Sequence, residues 1–277
     1  MAHPLPPFLA DQAPRAIDDR LWTYTARRPA GEWVFASAVQ SEPRVEVRRG
    51  VDVAGLVEGR PVRAGIPHVV GVRTDVGELR ADLVVDAMGR RSKVPDWLAA
   101  IGARRPFEEQ ADCGFAYYTR YFRGPEPQRI GPVFMVIGTI SVLTLPGDNG
   151  TWSVTLQAAA GDAPLKRLRH ADVWGRVVRS CPLQAHWLDG EPITDVLPMS
   201  GVVDRRRRFV HEGEPVATGV VAVADAWACT NPSAGRGLTV GLLHAVRLRD
   251  VLRRAGGDAL AVAREFHEVT EAEIAPW

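Results

Sequence analysis

Residues 219–248 read GVVAVADAWACTNPSAGRGLTVGLLHAVRL, and this stretch decides the fold. Its apolar run VVAVA predicts a buried strand that ends at Asp225. A loop containing Pro232 follows, and Gly235 and Gly237 lie where the next apolar periodicity predicts the start of a helix. A strand, a loop and a helix in this order are typical of an α/β unit, in which ligands bind beyond the carboxyl end of the strand.

The residue types in this stretch suit a ligand that carries hydroxyl groups and a partly negative atom. The carboxylate of Asp225 can accept hydrogen bonds from the hydroxyls of a ribose or ribityl chain. Gly235 and Gly237 permit close approach of a ligand to the backbone, and the free N–H groups at a helix start favour negative ligand atoms. The alternative is an ordinary strand–loop–helix connection that binds nothing.

A second unit of this kind lies in residues 81–95, ADLVVDAMGRRSKVP. Residues 81–87 predict a short strand that is buried on both faces and leads directly into Gly89. A short helix is predicted at residues 95–101. Together with the first stretch, this unit predicts α/β structure at both ends of the chain and hence one nucleotide-binding domain.

The remaining pattern predicts further elements around these two units. Helices are predicted at residues 29–41, 171–179, 184–188 and 235–254, and from Asp258 as N-cap past Glu273. Strands are predicted at residues 45–58, with an interruption at Arg49-Gly50, and at residues 68–74, 193–197 and 216–224, and an antiparallel sheet is predicted over residues 113–160. Four consecutive arginines, residues 205–208, predict a solvated turn, with a phosphate or NAD(P)H contact as the alternative.

The predicted fold class is α/β with mixed α+β character. Residues 27–106 and 201–277 are expected to form one Rossmann-like nucleotide-binding domain. Residues 107–200 are expected to form an antiparallel-sheet substrate domain that is inserted into it. Residues 1–26 are expected to be an irregular lead-in, because four prolines lie between Pro4 and Pro14.

Composition and charge exclude several classes of function. The formal net charge is +1 at pH 7, so no global field attracts nucleic acid or an anionic membrane. No apolar run reaches the ~20 residues that a membrane-spanning helix needs, and no signal-peptide pattern is present. The three cysteines are widely spaced and the histidines lack metal-ligand spacing. We therefore expect a cytoplasmic protein with reduced thiols and no metal site.

The stretch from Asp225 to Leu238 resembles the Gly-Asp motif of the FAD-dependent monooxygenases, a group that includes aromatic hydroxylases, geranylgeranyl reductases and flavin-dependent halogenases. The residues that match in order and spacing are Asp225, Ala226, Pro232, Gly235, Arg236, Gly237 and Leu238. Position 224 departs from the family pattern, because it is Ala instead of Gly. The resemblance implies that Asp225 holds the ribityl chain of FAD and that the glycine-flanked helix start faces the isoalloxazine ring.

Two further matches to the family are partial. Asp86 and Gly89 match a second motif, but Met88 replaces the Asp that the hydroxylases link to FAD and to the nicotinamide cofactor. We therefore expect Asp86 to be structural. Whether NAD(P)H donates electrons directly, or indirectly through a separate flavin reductase, stays open. Arg28 matches an Arg near the flavin phosphates, and a solvated surface role is the alternative.

The family opens with a strand and the phosphate-binding pattern Gly-x-Gly-x-x-Gly, which this sequence does not contain. The FAD-binding domain is therefore expected to be incomplete, as in a truncated or degenerate gene or one with a misplaced start codon. The resemblance covers residues 27–277 and implies a FAD-dependent oxidoreductase of the monooxygenase type for a small apolar or aromatic substrate, with no catalytic side chain identified. The alternatives are a flavin-dependent reductase of a prenyl or polyene substrate and a truncated remnant that binds no FAD.

Overall fold

The computed structural model describes residues 26–232 and 235–277. The predicted irregular lead-in, residues 1–26, lies outside the described residues except for its last position. The α-helices in the described part are α1 (Arg28–Gln40), α2 (Val94–Ala100), α3 (Ala171–Arg179), α4 (Gly237–Ala255) and α5 (Ala259–Val269). The strands are β1 (Val53–Arg63), β2 (Ile66–Thr74), β3 (Gly77–Arg80), β4 (Val84–Asp86), β5 (Phe107–Asp112), β6 (Phe115–Arg123), β7 (Phe134–Ile137), β8 (Ile140–Pro146), β9 (Thr151–Ala159), β10 (Glu191–Pro192), β11 (Leu197–Met199), β12 (Val203–Arg208), β13 (Val210–His211), β14 (Glu214–Pro215), β15 (Val220–Ala222) and β16 (Ala228–Cys229).

Contacts divide the described chain into two compact units. Residues 26–47 and 114–202 form the sheet unit, and residues 48–113 with the described part of 203–277 form the α/β unit. The sequence instead grouped residues 27–47 with the nucleotide-binding domain. In the sheet unit, the guanidinium of Arg27 donates to the carboxylate of Asp148 at 2.6 and 2.9 Å, and this pair joins the start of α1 to the turn between β8 and β9. The domain boundaries stay a prediction.

The sheet unit is built on an antiparallel sheet with strand order β10–β6–β9–β8–β7, and β11 also pairs with β6. The antiparallel sheet predicted over residues 113–160 is thereby confirmed. Its core is aromatic, because Trp152 and Trp174 are buried and each stacks on Phe122 with ring centroids 6.1 Å apart. Their indole N–H groups donate to the backbone carbonyls of Trp187 and Tyr118, so neither buried donor is left unpaired.

The α/β unit contains several small sheets that helices cover. Strands β1, β2 and β3 form an antiparallel meander, β4 and β15 form a parallel pair, and β12 lies between β5 and β16. Helices α4 and α5 bury Leu248, Val251 and Phe266 against Val221 and Val223 of the strand segment that leads to Asp225. The predicted mixture of α/β and antiparallel structure is confirmed by these sheets.

Gly219 marks the point at which the chain passes from one sheet to the next. The carbonyl of Thr218 accepts the N–H of Val69 in β2 at 2.8 Å, and the carbonyl of Gly219 accepts the N–H of Val84 in β4 at 2.9 Å. Gly219 has a φ of +74°, and an ideal Cβ there would lie 2.0 Å from the Val69 carbonyl oxygen. The continuous strand predicted over residues 216–224 is therefore wrong, because the chain turns here to change sheets.

Two other strand predictions are also wrong in their bounds. The interruption predicted at Arg49-Gly50 is observed, since the chain turns at Gly50 with a φ of +70°, but residues 45–49 before it form no strand and β1 begins only at Val53. The strand predicted over residues 193–197 is replaced by β10 and β11. Between them, the Thr194 hydroxyl accepts the N–H of Tyr121 at 3.1 Å, so a side chain takes the place of a ladder hydrogen bond.

Asp258 caps α5 as the sequence predicts. Its carboxylate accepts the N–H groups of Leu260 and Ala261 at 2.9 and 3.0 Å. The α-helix ends at Val269, and residues 270–274 form a π-helical turn where the sequence predicted continuous α-helix.

Candidate functional site

The two sequence motifs converge where the parallel strands β4 and β15 end. Ala222 lies opposite Asp86 in the register, so the residues that follow both strands emerge at the same edge. An ideal Cβ on Gly89 would lie 4.0 Å from the Cβ of Asp225. The structure therefore brings together two motifs that are far apart in the sequence.

Asp225 occupies the middle of a 3-10 turn, residues 224–226, directly after β15. Its side chain is exposed, and no described residue forms a hydrogen bond or ion pair with its carboxylate. An exposed, uncommitted acceptor at the carboxyl ends of parallel strands has the position and chemistry to bind hydroxyl groups of a ligand.

Met88 and Gly89 lie on a neighbouring turn that Asp86 holds in place. The buried carboxylate of Asp86 accepts the N–H of Met88 at 3.0 Å and the hydroxyl of Ser92. The Ser92 oxygen in turn accepts the N–H of Val94 at 3.1 Å, where α2 begins. Both oxygens of this carboxylate are therefore hydrogen-bonded within the protein, which agrees with the expected structural role of Asp86. Gly89 takes the positive φ of +72° that the turn requires.

The prediction that residues 81–87 form a strand buried on both faces is wrong. Only Val84, Val85 and Asp86 are in the strand, and the side chain of Val85 is 44% exposed. Val84 and Asp86 face inward, whereas Val85 between them points to the opposite face, as the alternation of side chains along a strand requires. One face at the motif therefore stays open to solvent.

The arginine run, residues 205–208, lies on strand β12, so the predicted solvated turn is wrong. Arg207 is 4% exposed and donates through Nε to Glu108 at 2.8 Å and through Nη1 to the carbonyl of Ala226 at 2.9 Å. Arg205 donates to the carbonyl of Arg90, next to Gly89. Strand β12 therefore anchors the turn that contains Gly89 and the turn that contains Asp225. The sequence signal for this role is the acidic pair Glu108-Glu109 on the neighbouring strand β5, which lies opposite the arginines.

His244 of α4 is a second anchor that the sequence did not identify. Its side chain is buried, with its ring stacked on Phe266 at 4.7 Å and edge-on to Trp227 at 4.8 Å. Nδ1 accepts the N–H of Ala224 at 3.3 Å, and Nε2 lies 3.0 Å from the hydroxyl of Thr270. Burial lowers the pKa of His244 to about 4, so the ring is neutral at pH 7. Because Nδ1 accepts, Nε2 carries the proton and donates to Thr270.

The loop between Asp225 and α4 carries the remaining predicted site residues. Pro232, Gly235 and Arg236 are exposed, and the N–H of Gly235 donates to the Pro232 carbonyl at 3.0 Å. Gly235 has a φ of +63°, and Gly237 begins α4, where Leu238 is 65% exposed. An added Cβ at either glycine would meet no described atom within 4 Å, so the backbone here is accessible to a ligand.

Ala226 and Arg28 occupy different surroundings. Ala226 is buried beneath the turn, and its carbonyl rather than its side chain makes the polar contact with Arg207. Arg28 belongs to the sheet unit, at the start of α1, where its Nε lies 2.6 Å from Glu32 on the exposed helix surface. The role of Arg28 near a flavin phosphate stays a prediction.

Residues 26–232 and 235–277 contain no group of three or more His, Cys, Asp or Glu side chains arranged to hold a metal ion. None of the helices in this part of the chain combines the length and the apolar character needed to cross a membrane. The three cysteines are buried, and none of them forms a disulfide bond with another described residue.

One curated relative resembles the sequence. No family model matches the chain. The chain is 30% identical over 245 residues to Protein Rv3254 of Mycobacterium tuberculosis, in an alignment that covers 83% of this chain and 50% of that protein. The chain therefore spans about half the length of the curated relative that it matches.

Solved structures of flavin enzymes resemble the fold. The myxobacterial FAD-dependent halogenase CndH has a TM-score of 0.64 at 18% identity, and the alignment covers 91% of this chain and 58% of the halogenase chain. A triple mutant of the flavin-dependent brominase Bmp2 has a TM-score of 0.62 at 17% identity, and the alignment covers 90% of this chain and 62% of the brominase chain. The aromatic hydroxylase CabE from angucycline biosynthesis has a TM-score of 0.55 at 21% identity, and the alignment covers 89% of this chain and 45% of the hydroxylase chain. This chain therefore has the fold of the flavin-dependent halogenases and aromatic hydroxylases.

Proposed function

We propose that this chain is part of a FAD-dependent oxidoreductase of the monooxygenase type, acting on a small apolar or aromatic substrate. The observation that carries the proposal is the convergence of Gly89 and Asp225 at the carboxyl ends of two parallel strands, with the Asp225 carboxylate exposed. The similarity in fold to flavin-dependent halogenases and hydroxylases supports the same choice.

The residues at this edge fit one wall of a FAD site. Asp225 would accept hydrogen bonds from the ribityl hydroxyls, and the backbone at Gly235 and Gly237 would approach the isoalloxazine ring. The exposed side chains of Met88 and Leu238 would keep water from the substrate side. Bound FAD would supply the redox chemistry, and the protein would bind and orient it.

A reductase of a prenyl or polyene substrate is the second candidate. It is favoured by Met88, whose exposed thioether stands where a hydroxylase has the Asp that is linked to the nicotinamide cofactor. Oxygen uptake coupled to hydroxylation would support the monooxygenase, whereas alkene reduction without oxygen uptake would support the reductase.

Replacing Asp225 by alanine is expected to weaken FAD binding roughly 10- to 150-fold, because the ribityl hydroxyls lose a charged acceptor. The measurement is titration of the 277-residue chain with FAD, followed by quenching of flavin fluorescence. The free energy of unfolding should change by less than ~0.5 kcal/mol, because the carboxylate is exposed and forms no hydrogen bond or ion pair with a described residue.

Asp82→Ala is the matched control, since Asp82 is also exposed and precedes the same parallel pair at its opposite end. FAD affinity should be unchanged in this variant. Equal affinities of wild type and Asp225→Ala would remove Asp225 from the site. A folded wild-type chain that binds no FAD would contradict the proposed function and favour a non-catalytic remnant.

A further inference from the structure

We propose that His244 is a positioning residue of this site, which holds the backbone of Ala224 so that the next residue, Asp225, faces the ligand. The proposal deepens the proposed function and rests on it for the identity of the ligand. His244 itself is buried and has no contact with solvent, so its action on a ligand must pass through the turn.

The backbone at Ala224 explains why such a contact is needed. Ala224 has a φ of +52°, a left-handed conformation that residues with a Cβ rarely adopt. Its conformation is held at both ends of the residue. Its N–H donates to His244 Nδ1 at 3.3 Å, and its carbonyl accepts the N–H of Trp227 at 2.9 Å. Loss of the first contact would allow the turn to relax and would move the Asp225 carboxylate.

The packing of α4 brings the imidazole to this position. Gly241 precedes His244 by three residues and lies on the same face of the helix. An ideal Cβ at Gly241 would lie 3.0 Å from the Cβ of Ala224, so a larger residue would push the helix away from the turn. The close approach of α4 therefore depends on Gly241, and the hydrogen bond to Ala224 depends on that approach.

The other contacts of His244 orient its acceptor nitrogen. Phe266 and Trp227 fix the plane of the ring, and the buried hydroxyl of Thr270 lies 3.0 Å from Nε2. This arrangement leaves Nδ1 free of a proton and aimed at the N–H of Ala224. An aromatic residue chosen only for packing would need neither polar contact.

Two variants at this position separate positioning from packing. His244→Phe keeps an aromatic ring between Phe266 and Trp227 but removes the acceptor, and we expect FAD binding about 10-fold weaker. His244→Asn places a carbonyl oxygen near the position of Nδ1, and we expect affinity within about 3-fold of wild type although the ring packing is lost. The thermal stability of the two variants should follow the opposite order. Equal FAD affinity in wild type and His244→Phe would overturn the proposal.

Amide hydrogen exchange of Ala224 in the FAD-free chain tests the contact without any ligand. Exchange should be about 10-fold faster in His244→Phe than in wild type and close to wild type in His244→Asn. If His244→Phe does not fold, Thr270→Val carries the test, since it removes only the partner of Nε2 and should also speed exchange. Unchanged exchange in the folded variants would overturn the proposal. Altered exchange in a chain that binds no FAD would support the contact and contradict the proposed function instead.

Discussion

Replacing Gly219 by alanine is expected to destabilise the α/β unit by about 2–6 kcal/mol. Two costs add at this position. A residue with a Cβ held at a φ of +74° carries backbone strain of about 1–3 kcal/mol. The Cβ would also lie 2.0 Å from the carbonyl oxygen of Val69, and the backbone shift that relieves such overpacking costs about 1–3 kcal/mol more. Because Gly219 lies between Thr218, which is hydrogen-bonded to β2, and the start of β15, the shift would also displace the strand that leads to Asp225.

Gly102→Ala is the matched control for this substitution. Gly102 lies in the same unit and has a φ of +78°, but no atom of another described residue lies within 4 Å of its ideal Cβ apart from its chain neighbours. It should therefore show only the backbone strain, about 1–3 kcal/mol. Hydrogen exchange of the β2 and β15 amides against increasing urea measures the free energy of opening of this unit. Equal losses in both variants would contradict the clash with Val69.

Replacing Arg207 by methionine is expected to destabilise the α/β unit by about 2–4 kcal/mol. The substitution leaves the carbonyl of Ala226 without its 2.9 Å donor and leaves the carboxylate of Glu108 without its 2.8 Å partner. Breaking a buried ion pair typically costs about 3–5 kcal/mol, and the value here is lower because Glu108 is one-third exposed. Methionine fills a similar volume, so the loss reports the polar contacts rather than a cavity.

Arg208→Met tests the same strand at an exposed position. Arg208 pairs with Glu109 at 3.2 Å, and both side chains are more than one-third exposed, so its loss should cost under ~1 kcal/mol. Urea unfolding with exchange readout in β5 and β12 compares the two variants. Because Arg207 anchors the carbonyl of Ala226, Arg207→Met should also weaken FAD binding while Arg208→Met should not. A stability loss in Arg207→Met no larger than in Arg208→Met would refute the anchoring role.

Local patterns in the sequence predicted the elements and the exposed part of the candidate site. The alternating and aromatic runs over residues 113–160 predicted the antiparallel sheet, because side chains alternate between faces with a period of two. The run that ends at Asp225 predicted a strand, although the change of sheet at Gly219 was missed. The interruption predicted at Arg49-Gly50 was correct, but the strand predicted before it is absent, because periodicity alone does not say whether a neighbouring strand is available for pairing.

The sequence by itself determined the order of the motifs, the position of Asp225 directly after an apolar run and the glycines that precede α4. These features depend on residues that are neighbours in the chain, and so they can be read locally. Only the tertiary structure decided that Gly89 lies beside Asp225 and that Arg207 and His244 hold the turn between them. Each of these contacts joins separate segments, and strand register and helix packing bring their partners together. The candidate site therefore consists of residues that the sequence identified and anchors that only the packing revealed.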